Sequence, residues 1–102
     1  MKRILAIVKP FRAADTLAGL ARERCGEVLA SAARGYGRQK DRLQRYRHAE
    51  YHGAQLPKIE FRFACPDDAA EEAVAAIVAV ARDGAVGSGK IFVLPCLGCV
   101  EF

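Results

Sequence analysis

The sequence predicts an α+β domain of order β-α-β-β-α-β with a long loop between its second and third strands. Three observations carry this. Ile4 to Val8 is a compact apolar run, residues 59 to 64 alternate apolar with other side chains, and two stretches of helical periodicity each follow one such strand. At 102 residues, of which 52% are hydrophobic, the chain is long enough for one compact core and too short for two, so residues 1–102 are a single domain.

The first strand, Ile4 to Val8, ends at Lys9-Pro10 and is apolar throughout, as expected of a central strand. From about Ala13 to Arg24 helix formers dominate, with Leu17, Leu20 and Ala21 on one face and Gly26 as the stop. Residues 27 to 34 mix small and apolar residues and are expected to form the second strand. A polar stretch from Gly35 to about Gln55 follows, and then Ile59, Phe61 and Phe63 alternate with Glu60, Arg62 and Ala64 in a half-buried third strand. A connection as long as 37–55 inside a compact domain is usually functional or disordered, which makes it the first place to look for a role.

Asp67 or Asp68, after Pro66, is expected to cap the second helix, with Glu71 and Glu72 in its first turn and Val74, Ile77, Val78 and Ala81 as its apolar stripe up to Gly84. A glycine-bearing turn, Gly84 to Lys90, leads into the last strand, Ile91 to Leu94. The order is that of a ferredoxin-like βαββαβ sandwich. Its helices cover one face of a four-stranded sheet, so the other face requires a partner and the chain is expected to oligomerise.

No apolar run approaches the roughly 20 residues that cross a bilayer, and the apolar stretch after Met1-Lys2-Arg3 is shorter than a secretory signal's core, so a cytoplasmic chain without membrane insertion is expected. Cys25, Cys65, Cys96 and Cys99 lack the density of a disulfide scaffold. The C-x-x-C spacing of Cys96 and Cys99 fits a redox pair, two small hydrophobes, or half a zinc site with no second half beside it. Arg34, Arg38, Lys40, Arg42, Arg45 and Arg47 against Asp41 and Glu50 place the whole net charge of +4 within residues 34–51. Such a block suits phosphates or an acidic partner, or is a solvated loop; without a recognition motif it does not argue for nucleic acid.

No carboxylate pair and no nucleophile with a base suggests catalysis, and His48 and His52, four apart, have no supporting ligands. Gly87-Ser88-Gly89-Lys90 is different, because glycines expose backbone N–H groups to phosphate oxygens and the lysine adds charge. Alone, a G-x-G before a strand is more often only a turn. It gains weight beside Gly35-Tyr36-Gly37-Arg38-Gln39-Lys40, a second glycine-flanked basic segment at a strand end.

Four segments, MKRILAIVKPF (1–11), GYGRQK (35–40), Leu56-Pro57-Lys58 and GAVGSGKIFVLP (84–95), resemble the PII signal-transduction family in order and spacing. The resemblance implies a non-catalytic homotrimer that binds adenine nucleotide (ADP, AMP or ATP) in clefts between subunits and touches a regulated partner through the loop at 37–55. It implies nucleotide contacts by Gly35, Gly37, Arg38 and Gln39, with Gly87, Ser88, Gly89 and Lys90 at the phosphates. It further implies an effector site around Gln39, Lys40 and Lys58, where the family takes 2-oxoglutarate and Gln39 reaches a magnesium ion. Tyr51 stands where many bacterial members are uridylylated, and Tyr46 matches another loop tyrosine.

The sequence also departs from that pattern. Cys96-Leu97-Gly98-Cys99-Val100-Glu101-Phe102 stands where the family carries two phosphate-clasping arginines, each such contact being worth roughly 1.5–3 kcal/mol. Arg62 replaces a cleft glutamate and joins the candidate nucleotide contacts. Asp41 replaces a glycine where 2-oxoglutarate would sit. Relatives linked to inorganic-carbon uptake or carboxysomes pair the same body with altered effector chemistry, so bicarbonate at a site of Gln39, Lys40, Asp41 and Lys58 is an expectation, with a transporter, a carboxysome-related protein or a metabolic enzyme as partner. The rival from another class is a trimer like the copper-tolerance proteins, with Cys96, Cys99, His48 and His52 as metal ligands. It leaves GRQK and GSGK unexplained.

Overall fold

The computed structural model describes residues 1–36, 56–84 and 88–102. Strand β1 (Lys2–Val8) runs through a 3-10 turn at Pro10–Arg12 into helix α1 (Ala13–Ala18) and the short α2 (Arg22–Cys25). Strands β2 (Leu29–Gly35) and β3 (Leu56–Cys65) follow, then helix α3 (Asp67–Ala81) and strand β4 (Gly89–Pro95). The strands form one antiparallel sheet in the order β2-β3-β1-β4. Two split βαβ units are thus interleaved, as the element order predicts.

The first helix departs from expectation, being broken where 13–24 reads as continuous. Gly19 lies at the break. Its N–H is shared between the carbonyls of Asp15 and Thr16 at 3.1 and 3.2 Å, and the Leu20 N–H reaches the Leu17 carbonyl at 3.3 Å, so the turn tightens and stops. A glycine costs a helix about 1 kcal/mol relative to alanine, and here that weakness falls where the chain turns Leu20 into the core. Helix α2 restarts on the Ala21 carbonyl and ends at Gly26, whose φ of 62° is the left-handed stop the sequence suggests.

Helix α3 also differs in detail. Pro66, not an aspartate, occupies the capping position, and its carbonyl takes the Ala69 N–H at 2.9 Å. Asp67 and Asp68 lie in the first turn and point outward, Asp67 to the Met1 amine and Asp68 to Arg24, each at 2.6 Å. The buried stripe is Ala69, Ala70, Ala73, Ile77 and Ala81, whereas Val78 is exposed and Val74 only half-buried. Small alanines let the helix lie close to the sheet, so the larger valines misplace the stripe when size alone is read.

Residues opposite each other in antiparallel strands share a face. Ile4, Ala6 and Val8 of β1 therefore pack with Phe63, Phe61 and Ile59 of β3 and Ile91 of β4 beneath the helices. Thr16 is the buried polar residue on the helix side, its hydroxyl donating to the Arg12 carbonyl at 2.8 Å. The opposite face carries Leu5, Ile7, Leu29, Phe92 and Leu94 among Arg3, Glu60, Arg62, Lys58 and Lys90. Leu29, Phe92 and Leu94 are 52%, 47% and 40% exposed. No described helix is long and apolar enough to cross a membrane.

Phe61, only 2% exposed at the centre of the core, sets the first expectation. Phe61→Ala should lower the unfolding free energy by roughly 3–5 kcal/mol, read from the denaturant midpoint at unchanged slope. A loss under 1 kcal/mol would mean that Phe61 does not anchor the helix layer.

Candidate functional site

The sheet brings four chain segments to one edge. The end of β1 lies opposite the starts of β3 and β4, with Val8 facing Ile59 and Gly89, while the end of β2 closes beside them with Gly35 facing Leu56. Lys9 follows β1, Lys58 stands opposite Ala33, and Lys90 stands opposite Ile7. Three lysines thereby gather on the face that the helices leave uncovered.

One glycine makes this close approach possible. A Cβ on Gly89 would lie 2.7 Å from the Ile7 carbonyl oxygen, inside any tolerable contact, so β4 can start beside β1 only without a side chain there. A Cβ on Gly35 would meet the Lys58 stem at 3.6 and 3.7 Å, so the Lys58 chain runs directly across that glycine. Gly84, with φ 81°, turns the chain after α3 just beyond Asp83.

Asp83 is bonded into the cluster. Its Oδ2 receives Lys9 Nζ at 2.7 Å and its Oδ1 receives the Ser88 hydroxyl at 2.6 Å, while the Asp83 N–H reaches the same hydroxyl at 3.4 Å. The Lys9 and Asp83 side chains are each only 18% exposed. Burial, followed by the charge of Lys9, pushes the Lys58 ammonium below its ordinary pKa of 10.5; Asp83 opposes the shift and Lys90 adds to it. Three ammonium groups against this one bonded carboxylate leave an excess of positive charge that suits a phosphate or carboxylate ligand.

Among the residues anticipated from the sequence, the structure thus brings together Gly35, Lys58, Ser88, Gly89 and Lys90. Gly37, Arg38, Gln39, Lys40, Asp41, Tyr46, His48, Tyr51, His52 and Gly87 lie outside the described residues. Arg62 lies elsewhere on the open face, opposite Leu5 and Leu29 and four residues along β3 from Lys58, roughly 13 Å away. Its Nε is buried without a hydrogen-bond partner, as is that of Arg12, whose guanidinium stacks 5.2 Å from the Phe11 ring centre. Sequence reasoning missed Lys9 and Asp83. The signal was in the topology, which puts the residue after β1 beside the approach to β4.

The four cysteines are free thiols. Cys25 and Cys65 are buried, and burial pushes the Cys65 thiol up. Cys96 is half-buried, with its Sγ 3.5 Å from the Gly98 carbonyl, and Cys99 is exposed. Among the described residues, no three His, Cys, Asp or Glu side chains group as metal ligands.

The sequence matches the family described as nitrogen regulatory protein P-II over residues 1–101. This chain belongs to the P-II family. It is 40% identical over 93 residues to nitrogen regulatory protein P-II 1 of Escherichia coli (strain K12), covering 91% of this chain and 83% of the relative. With the same coverage it is 38% identical to a P-II protein of Haemophilus influenzae and 41% identical to one of Mesorhizobium japonicum. A P-II chain is a regulatory signalling protein, and this membership does not favour the metal-binding alternative built on Cys96, Cys99, His48 and His52.

The depressed pKa of Lys58 predicts a pH effect in this P-II protein. Folding holds the Lys58 proton less tightly than the unfolded chain does, so the destabilisation is fully present below the folded value and is relieved as pH rises toward 10.5. Lys58→Met should therefore be more stable than the parent near neutrality, with the difference in denaturant midpoint shrinking as pH rises through that interval. A difference that grew with pH would reverse the sign and overturn the assignment.

Proposed function

We propose that this P-II protein is a non-catalytic sensor that binds adenine nucleotide between the subunits of a homotrimer. The lysine cluster around the close β1–β4 approach carries this reading, because it offers charge and glycine-lined backbone at the edge of a sheet face that lacks a cover. The nucleotide's phosphates would lie at Ser88, Gly89 and Lys90, with Gly87 completing that segment and Gly35, Gly37, Arg38 and Gln39 flanking it. Pairing of the open faces between copies is supported by the exposed Leu29, Phe92 and Leu94 on the face that also carries Arg62. Arg62 would then reach the cleft of an adjacent subunit.

The output would pass through the loop at 37–55 to a protein of nitrogen metabolism or of bicarbonate-linked carbon metabolism, such as a transporter or a carboxysome-related protein. Asp41 beside Lys40 favours bicarbonate over 2-oxoglutarate at the loop base, because a carboxylate there repels a dicarboxylate more strongly than a monoanion.

Calorimetry tests the reading. ADP or AMP should bind at least as tightly as ATP, because Cys96 to Phe102 carry no arginine where the family places its phosphate-clasping pair, and Lys90→Ala should weaken all three while sedimentation still gives a trimer. Unchanged affinity in Lys90→Ala would remove the site. Bicarbonate should tighten nucleotide binding and nucleotide should tighten bicarbonate by the same factor, whereas an effect of 2-oxoglutarate alone would return the protein to nitrogen sensing.

A further inference from the structure

Asp83 is the acid bonded into the lysine cluster. Asp83 already does with its carboxylate what a phosphate would do at this position. One oxygen takes an ammonium at 2.7 Å and the other takes a hydroxyl at 2.6 Å, and both partners belong to segments that border the site. The Lys9 and Asp83 side chains are each 18% exposed, so water screens their charges only in part. It is also held in place. The Asp83 N–H reaches the same serine at 3.4 Å, and the positive φ of Gly84 fixes the turn beyond it.

We propose that Asp83 is an internal competitor for the ligand anion, which sets how much phosphate-bearing ligand the protein must meet before it responds. An arriving phosphate finds Lys9 and the Ser88 hydroxyl already engaged, and must either displace the carboxylate or lie beside a second negative charge. In both cases binding is weaker than three lysines alone would give. The inference rests on the lysine cluster being the phosphate site of the proposed nucleotide.

A tether between the end of β1 and the approach to β4 would use the same contacts, but the two roles predict opposite signs. Loss of a tether loosens the cluster and weakens binding, whereas loss of a competitor strengthens it. Asp83→Asn separates them, because the amide keeps the size of the side chain and an oxygen for Ser88 while removing the charge. Calorimetric titration with inorganic phosphate, and then with ADP, should give roughly a hundredfold to a thousandfold tighter binding in Asp83→Asn, the size expected when one charge about 4–6 Å away is removed at an effective dielectric of about 20. Asp83→Glu, which keeps the charge, should bind no more tightly than the parent. If the amide variant does not fold, Asp83→Ser repeats the measurement with a smaller neutral side chain. Equal or weaker phosphate binding in the neutral variants would overturn the role of Asp83, as would tightening in Asp83→Glu. Failure of parent and variants alike to bind either phosphate or ADP would overturn the underlying site and the inference with it.

Discussion

The pairing of β1 with two neighbours at once is the constraint on which the molecule depends. Its register against β3 and β4 puts Ile4, Ala6 and Val8 under the helices and, by the alternation of a strand, Leu5 and Ile7 on the open side. The same register sets Gly89 against the Ile7 carbonyl and so brings Lys90 level with Glu60 across β1. A slip of one residue would bury lysine beneath α3 and expose the aliphatic core. Core and lysine cluster are therefore two results of one hydrogen-bond ladder, and neither can be adjusted without the other.

The open face shows how far a sheet can be left unfinished. Its middle row, Leu29, Arg62, Leu5 and Phe92, is apolar apart from one guanidinium whose Nε is already out of contact with water. The next row, Ser31, Glu60, Ile7 and Lys90, mixes charge with an aliphatic centre. An apolar band with charges along one margin has the composition of a protein interface with a polar rim. The margin is also where the glycines gather, so a ligand held there would touch the assembly at its seam.

Much of this was legible in the sequence, for local reasons. Ile4 to Val8 and Phe61 to Phe63 announce strands through composition and period, and Gly26 marks a stop through the absence of a Cβ. The break at Gly19 was hidden because its flanks, Leu17 and Leu20, keep a helical period across it. The α3 stripe was displaced because burial selected alanines for their smallness and left Val78 outside. The Lys9–Asp83 pair joins residues 74 apart, and no local pattern reports a contact of that span. Position in the sheet could have suggested it, since strand order fixes which chain ends meet.

The interleaved strand order has a consequence for how the chain is made. β1 and β2 leave the ribosome first, yet they are not neighbours, because β3 lies between them and β4 flanks β1 on its far side. The early half of the polypeptide therefore has no ladder to form, and its two strands must wait with unsatisfied edges until β3 arrives to bridge them. Such non-local closure slows folding and lengthens the time for which apolar strands are open to wrong partners. β3 acts as the keystone of the nascent chain.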